Sequence, residues 1–204
     1  MPSKVLNLAK SRQFPTWWLG VECEVKWEAV RHPDLPVLEA TGKILLWPED
    51  DDEGDEYPSV EAGTISVAKP YLWAGDDALI AMDDISADYS ELASAVLDGR
   101  CYSDDFTEGY CETYGEPPIA DPVFVHDLDI EPRYRNPREP LAAVAVLEAA
   151  AAFGAPLSPL IGFGPSLVAD DLRDRLRDRG LFDWTTALGA KEFRGVFVAP
   201  RPAG

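Results

Sequence analysis

The chain has 204 residues, 46% of them apolar and six of them tryptophan, which suits a folded protein with a substantial core and excludes a disordered one. Its formal net charge of −19 repels phosphate backbones and so excludes nucleic acid as a natural ligand. No apolar run approaches the roughly 18 residues of a membrane span, and the N-terminal stretch MPSKVLNLAKSRQFPTWW lacks the basic-then-apolar order of a secretion signal, so a cytoplasmic protein that binds no membrane is expected.

The charge is unevenly placed. Residues 1–120 carry 8 Lys/Arg against 25 Asp/Glu, and residues 121–204 carry 10 against 12. A single domain over 1–204 is expected, with an acidic first part (1–120) and a second part (121–204) that holds the chemistry. Cys23, Cys101 and Cys111 form no CxxC pair and read as reduced thiols. With His32 and His126 the only histidines, no metal motif is present and no metal is expected.

In chain order, residues 17–30 predict a strand. Val21, Cys23, Val25 and Trp27 alternate with Glu22, Glu24, Lys26 and Glu28, which sends the first set into a core and the charges into water, and Gly20 marks a weak spot. HPDLP at 32–36 is a loop, and 37–47 a second strand with Gly42 as a bulge or turn. Residues 49–56, EDDDEGDE, place seven carboxylates in eight positions, an exposed loop that is either a solvated connector or a docking point for a basic partner. A third strand covers 63–68, with Tyr71 to Trp73 at its end, and the apolar run 77–82 reads as a short strand. Residues 84–97 predict a helix capped by Ser86 and closed by Gly99, with Tyr89, Leu92, Ala93, Val96 and Leu97 as its apolar stripe. Residues 100–120 show no clear period. Their aromatics, Tyr102, Phe106, Tyr110 and Tyr114, pin a loop to the body or line a cleft.

After residue 120 the pattern alternates: strand 122–130, helix 140–153, strand 158–163, helix 168–179, strand 182–188 and strand 193–199. A strand, helix, strand order implies a parallel pair with a right-handed crossover. Together with the antiparallel first part it predicts an α+β fold with a mixed, largely antiparallel central sheet flanked by helices. Gly162-Phe163-Gly164 reads as a tight turn into a helix capped by Ser166. In DDLRDRLRDRGLF, 170–182, Leu172 and Leu176 face inward, and Asp171–Arg175, Asp170–Arg173 and Asp174–Arg177 form local pairs on a solvated face.

Two groups of residues carry candidate chemistry. Strand alternation places Asp127, Asp129 and Glu131 on one face, and His126, Leu128 and Ile130 on the other. The three carboxylates form either an amine-recognising wall with a general base or a solvated face. The second group is the arginine-rich turn: Pro132-Arg133-Tyr134-Arg135-Asn136-Pro137-Arg138-Glu139-Pro140 joins that strand to the alanine-rich helix. Arginine side chains there can hold phosphate, while Pro140 and Glu139 also make an ordinary start for a helix.

The segment from Val123 to Phe153 resembles the core of the GNAT acetyltransferases, in which a strand, a pyrophosphate loop and a helix follow one another. Pro132-Arg133-Tyr134-Arg135 matches the common Pro-x-Tyr/His-Arg lead-in, and 170–182 resembles the last helix and the entry to the sixth strand. The resemblance implies a cofactor, acetyl-CoA or another acyl-CoA, held by Leu128, Ile130, Arg133, Arg135, Asn136 and Arg138 in a gap beside the fourth strand. It implies N-acyl transfer to an amine, on a small molecule or a protein, with Asp127, Asp129 or Glu131 as the base. The glycine positions of the Arg/Gln-x-x-Gly-x-Gly/Ala loop fall on Arg138 and Pro140, and proline offers no N–H to a phosphate. No tyrosine stands in 168–182 to protonate a departing thiolate. The alternative is therefore a catalytically inactive GNAT-like binding protein whose acidic surface engages a basic protein partner.

Overall fold

The structure, a computed structural model, describes residues 4–8, 14–16, 21–32, 34–48, 59–74, 77–136, 140–155, 158–164, 166–168 and 170–200. Its strands are β1 (Lys4–Leu8), β2 (Phe14–Thr16), β3 (Val21–Arg31), β4 (Val37–Pro48), β5 (Val60–Pro70), β6 (Leu97–Asp98), β7 (Cys101–Tyr102), β8 (Val123–Ile130), β9 (Leu160–Phe163), β10 (Lys191–Phe193) and β11 (Val196–Ala199). The helices are α1 (Ala78–Ile85), α2 (Ala87–Val96), α3 (Asp104–Tyr114), α4 (Leu141–Phe153), α5 (Asp170–Asp178) and α6 (Asp183–Ala187). The fold is α+β. One mixed sheet has the order β1-β3-β4-β5-β8-β9-β11-β10, with β2 beside β3, and helices flank it. Every pairing in it is antiparallel except β8 with β9, the parallel pair that the strand–helix–strand pattern of the sequence implies.

Register decides what each face meets. Cys23, Val25, Trp27 and Ala29 oppose Leu46, Ile44, Gly42 and Ala40, and the row continues across β5 and β8 through Ile65 with Leu128 and Val67 with Val125. These side chains are buried. Helix α4 covers them, its alanines allowing close approach, and Phe153 meets Trp27 edge-on at 4.9 Å. Helix α6 continues this layer, with Trp184 against Gly162 of β9. Gly42 is neither bulge nor turn but a space for an indole: a Cβ there would lie 2.8 Å from the Trp27 ring.

The opposite face is covered at one end by α1, α2 and α3. Phe193 of β10 meets Phe106 of α3 at 5.3 Å, and Tyr114 Oη donates to the Val198 carbonyl at 2.7 Å. Over β3 and β4 that face stays open, with Lys26, Glu28, Thr41 and Lys43 exposed.

Several local expectations change. Residues 77–82 are not a strand: the Asp77 carboxylate accepts from the Leu79 and Ile80 N–H groups and starts α1. The aperiodic reading of 100–120 misses α3, capped by Ser103 and ended by Gly115 in the left-handed region. The expected strand 182–188 is α6, and 193–199 is a hairpin, β10–β11, rather than one strand. Ser166 caps no helix; its hydroxyl bonds Glu192. Leu172 is exposed, while Leu176 packs on the core. The predicted helix over 84–97 divides at Ser86, which caps α2. Strands β1 and β2 have no counterpart in the sequence expectations. Gly20, the acidic run 49–56, Pro137, Arg138 and Glu139 lie outside the described residues.

Candidate functional site

Strand β8 bends where it matters. Its ladder with β5 skips a residue: Val67 opposes Val125 and Ser66 opposes Asp127, so His126 has no partner. Before and after this bulge the side-chain phase differs, and Val125, Leu128 and Ile130 all reach the core face. Asp127 and Asp129 share the other face, opposite Ser66 and Thr64. His126 does not join Leu128 and Ile130 as strict alternation expects. Its ring packs on Tyr89 of α2 at 4.5 Å, and its Nε2 lies 3.1 Å from Asp88. The extra residue in the strand turns His126 toward the helical layer.

The bulge also sets the relation to β9. The parallel ladder holds for Val123, Phe124 and Val125 only, opposite Leu160, Ile161 and Gly162, whereas β8 runs on to Ile130. Beyond Val125 the pairing stops, because β9 ends at Phe163. The turn after α5 fills the space beside the end of β8. The Ile130 N–H donates to the Arg179 carbonyl at 2.9 Å, and Arg135 Nε donates to the Ile130 carbonyl at 2.8 Å. Both main-chain groups of Ile130 are thus held by protein.

Arg179 closes the same place with its side chain, 3.0 Å from Asp127 and 3.2 Å from Asp129. Burial works against its charge, but the two carboxylates outweigh that and raise its pKa above the ordinary value. Arg135 stands 3.9 Å from Asp129. Next to it, burial raises the Asp183 carboxyl above its usual range, with Arg135 opposing. The turn depends on Gly180, whose φ of +83° is open to glycine and strained for other residues.

Of the residues the resemblance assigns to a cofactor, Leu128 and Ile130 have buried side chains. Arg133 is exposed, pairs with Glu131 at 2.7 Å and stacks on Tyr134. Asn136 ends the described part of the loop. Of the candidate bases, Asp127 and Asp129 are joined by Arg179, and Glu131 lies past the strand with its N–H on the Ala62 carbonyl. A groove of about 330 Å³ runs beside them, lined by Glu61, Gly63, Thr64, Asp129, Glu131 and Pro132. Its carboxylates all have cations: Lys43 on Glu61 at 3.0 Å, Arg133 on Glu131 and Arg179 on Asp129.

Sequence reasoning overlooks Arg179 because the charge ladder of α5 accounts for its neighbours as local pairs. Asp174–Arg177 is such a pair, at 2.8 Å, and the Asp170 and Asp171 side chains lie outside those described. The signal is the odd cation past the end of the ladder, next to a glycine. Among the described residues no group of three or more His, Cys, Asp or Glu side chains is placed to hold a metal ion, and no helix is long and apolar enough to cross a membrane. Compared with known proteins, the chain matches no family model, no curated protein and no solved structure.

Proposed function

We propose that this chain is a GNAT-like protein that works by binding rather than by acyl transfer, and that its carboxylate-rich helical layer engages a lysine- and arginine-rich protein partner. The observation that carries this reading is the bond from the Ile130 N–H to the Arg179 carbonyl. It lies at the end of β8, the strand that the resemblance would set beside acyl-CoA, and Arg179 also pairs with Asp127 and Asp129 there. The partner chemistry follows from charge. Residues 77–116, which include α1, α2 and α3, contain eleven carboxylates against the single cation Arg100. Such a surface steers cationic partners over several ångströms at low salt.

A second reading, an acyl-CoA-dependent N-acyltransferase, is favoured by one feature: a parallel strand pair, β8 and β9, joined by helix α4. Calorimetric titration with acetyl-CoA and with CoA separates the two. Silence at millimolar ligand is expected. Affinity in the tens of micromolar, weakened by Arg135→Ala, would overturn the binding reading in favour of the enzyme. For the partner, fluorescence anisotropy of a labelled lysine-rich peptide and of a glutamate-rich one is the measurement. Binding of the first alone, lost at high salt and weakened by Glu108→Gln with Glu112→Gln, is expected. If those two changes leave the affinity unaltered, the helical layer is not the docking surface.

A further inference from the structure

We infer that the cleft between α3 and the β10–β11 hairpin is a slot for a proline ring in an extended segment of the protein partner. Phe106, Gly109, Tyr110 and Tyr114 line it from the helix, at the three- and four-residue spacing of one helical face, and Phe193 lines it from β10. The rings form a continuous wall. Phe106 lies 5.7 Å from Tyr110 and 5.3 Å from Phe193, and Tyr110 lies 4.8 Å from Tyr114. Gly109 lets the hairpin come this close, since a Cβ there would stand 2.9 Å from the Phe193 ring.

An unpaired hydroxyl marks the cleft as incomplete. Tyr102, Tyr110 and Tyr114 belong to this aromatic cluster. Tyr102 Oη donates to the Ala120 carbonyl at 2.6 Å, and Tyr114 Oη to the Val198 carbonyl at 2.7 Å. Tyr110 is only 7% exposed, yet its Oη makes no hydrogen bond among the described residues. A buried tyrosine hydroxyl usually finds a partner, and an exception calls for a water or a ligand. This residue lines an open cavity, so a partner has a way in.

Size and charge narrow the ligand. The cavity measures about 40 Å³, room for roughly three waters, which the methylenes of a proline ring match and a phenyl or indole ring exceeds. A cationic head is disfavoured there. Lys191 lines the cleft with no carboxylate partner among the described residues, and Arg194 already covers the Phe193 ring at 5.7 Å. An anionic head is disfavoured too, because Glu192 lines the cleft and α3 carries Asp104, Asp105, Glu108 and Glu112 without a cation. A neutral, apolar group flanked by acceptors remains. Proline in a polyproline II segment meets this demand: its ring is apolar, the segment's carbonyls have no internal partners, and the preformed backbone loses little entropy on binding. Tyr110 Oη and the Lys191 ammonium are donors for such carbonyls. Lysines or arginines beside the proline meet Glu108 and Glu112, which are exposed on the same helix. Those flanking contacts rest on the basic-partner reading; the slot itself does not.

The probes are a labelled peptide with a Pro-Pro-x-Pro core between lysines, its counterpart with alanine for every proline, and a version of the first with serine for every lysine. Fluorescence anisotropy gives their affinities. NMR of protein carrying labelled tyrosine follows the Tyr110 ring, assigned through Tyr110→Phe, which keeps the ring and deletes only the hydroxyl. A saturable shift of the Tyr110 ring with the first peptide is expected. The alanine counterpart should bind about tenfold more weakly, and Tyr110→Phe should weaken the first peptide about fivefold, the loss of one hydrogen bond. The serine version should still move the Tyr110 ring, at higher concentration; if it binds as tightly as the first peptide, the slot stands and the basic-partner reading falls. Equal affinity for the proline and alanine peptides, a Tyr110 ring that neither moves, or a Tyr110→Phe protein that binds as before overturns the slot. Salt-sensitive binding of both peptides would then leave the basic-partner reading standing, with a water alone serving the hydroxyl.

Discussion

Cys23 shows how a single buried group ties packing to pH. It is fully buried on β3, and its thiol is pushed up to about 12, by burial first and then by Glu148 and Glu24. A thiol that stays protonated neither alkylates nor exchanges. Iodoacetamide at mildly alkaline pH should therefore label Cys101, which is exposed, and leave Cys23 unmodified, as peptide mass spectrometry would report. Equal labelling of both would mean that β3 opens readily. The same shift has a thermodynamic side. In the unfolded chain the thiol ionises near its ordinary value, whereas in the folded chain it ionises only at about 12. Its contribution to stability is thus complete below roughly pH 8.5 and is lost as the pH climbs toward the folded value. Tyr110, pushed up to about 12 mainly by burial, and Tyr102, raised by burial and Asp121, act in the same direction. Urea midpoints should be flat around neutrality and fall from about pH 9 upward, and Cys23→Ala should flatten the fall by about 1.4 kcal/mol per pH unit. A midpoint that holds into strong base would contradict these burials.

At the scale of elements, the turn that follows α5 is the joint between sheet and helix layer. Gly180 adopts φ +83° there, and a Cβ would meet Asp183 Oδ2 at 3.0 Å and Arg135 Nε at 3.2 Å. Gly180→Ala should cost about 1–2 kcal/mol of backbone strain, with crowding of the Asp183 and Arg135 side chains added to it. The readout is local as well as global. Hydrogen exchange at the Ile130 amide should accelerate far more than at buried amides of β3, because its acceptor is the Arg179 carbonyl. Arg179→Ala keeps that carbonyl and should accelerate exchange less. If Ile130 exchanges at the same rate in all three proteins, the turn does not hold the end of β8. This joint is hard to read in the sequence, and the reason is physical. A charged helix end offers local partners for every arginine, so only the place of Arg179 past the ladder, beside Gly180, marks the one that reaches across the fold. The bulge at His126 is hidden for a related reason, since it is set by the register of β5 and not by the residues of β8. In contrast, strand β3, helix α4 and the parallel crossover are legible, because alternation and an alanine-rich run depend on the segment itself. Helix α3 leaves a fainter mark. Tyr102, Phe106, Tyr110 and Tyr114 recur every four residues, a helical spacing that aromatic bulk and a surplus of carboxylates obscure.

For the whole molecule the governing influence is charge. Opposite-sign pairs do exist on the sheet, such as the exposed Lys43–Glu61 and the half-buried Lys69–Asp121, but exposed pairs contribute little. The helical layer has almost none to offer. Helix α3 has Asp104 and Asp105 in its first turn, where the helix dipole favours them, and no basic residue in its last turn. Glu112 stands near that end, and Glu116 just beyond it, where negative charge is unfavourable. The layer therefore repels itself, and the repulsion falls within about 10 Å as salt reaches 0.1 M. Calorimetric scans from low to moderate sodium chloride should show a rising midpoint, by about 2–4 °C for each kcal/mol of relieved repulsion. Glu112→Gln with Glu116→Gln should raise the midpoint at low salt and reduce its salt dependence, because the two charges removed are the ones the dipole opposes. Asp104→Asn should do the reverse, since it removes a charge that the dipole favours. A midpoint that falls with salt would mean that attractive pairs outweigh the repulsion. The helical layer would then be a balanced surface rather than a strained one, and a cationic partner would gain nothing by neutralising it.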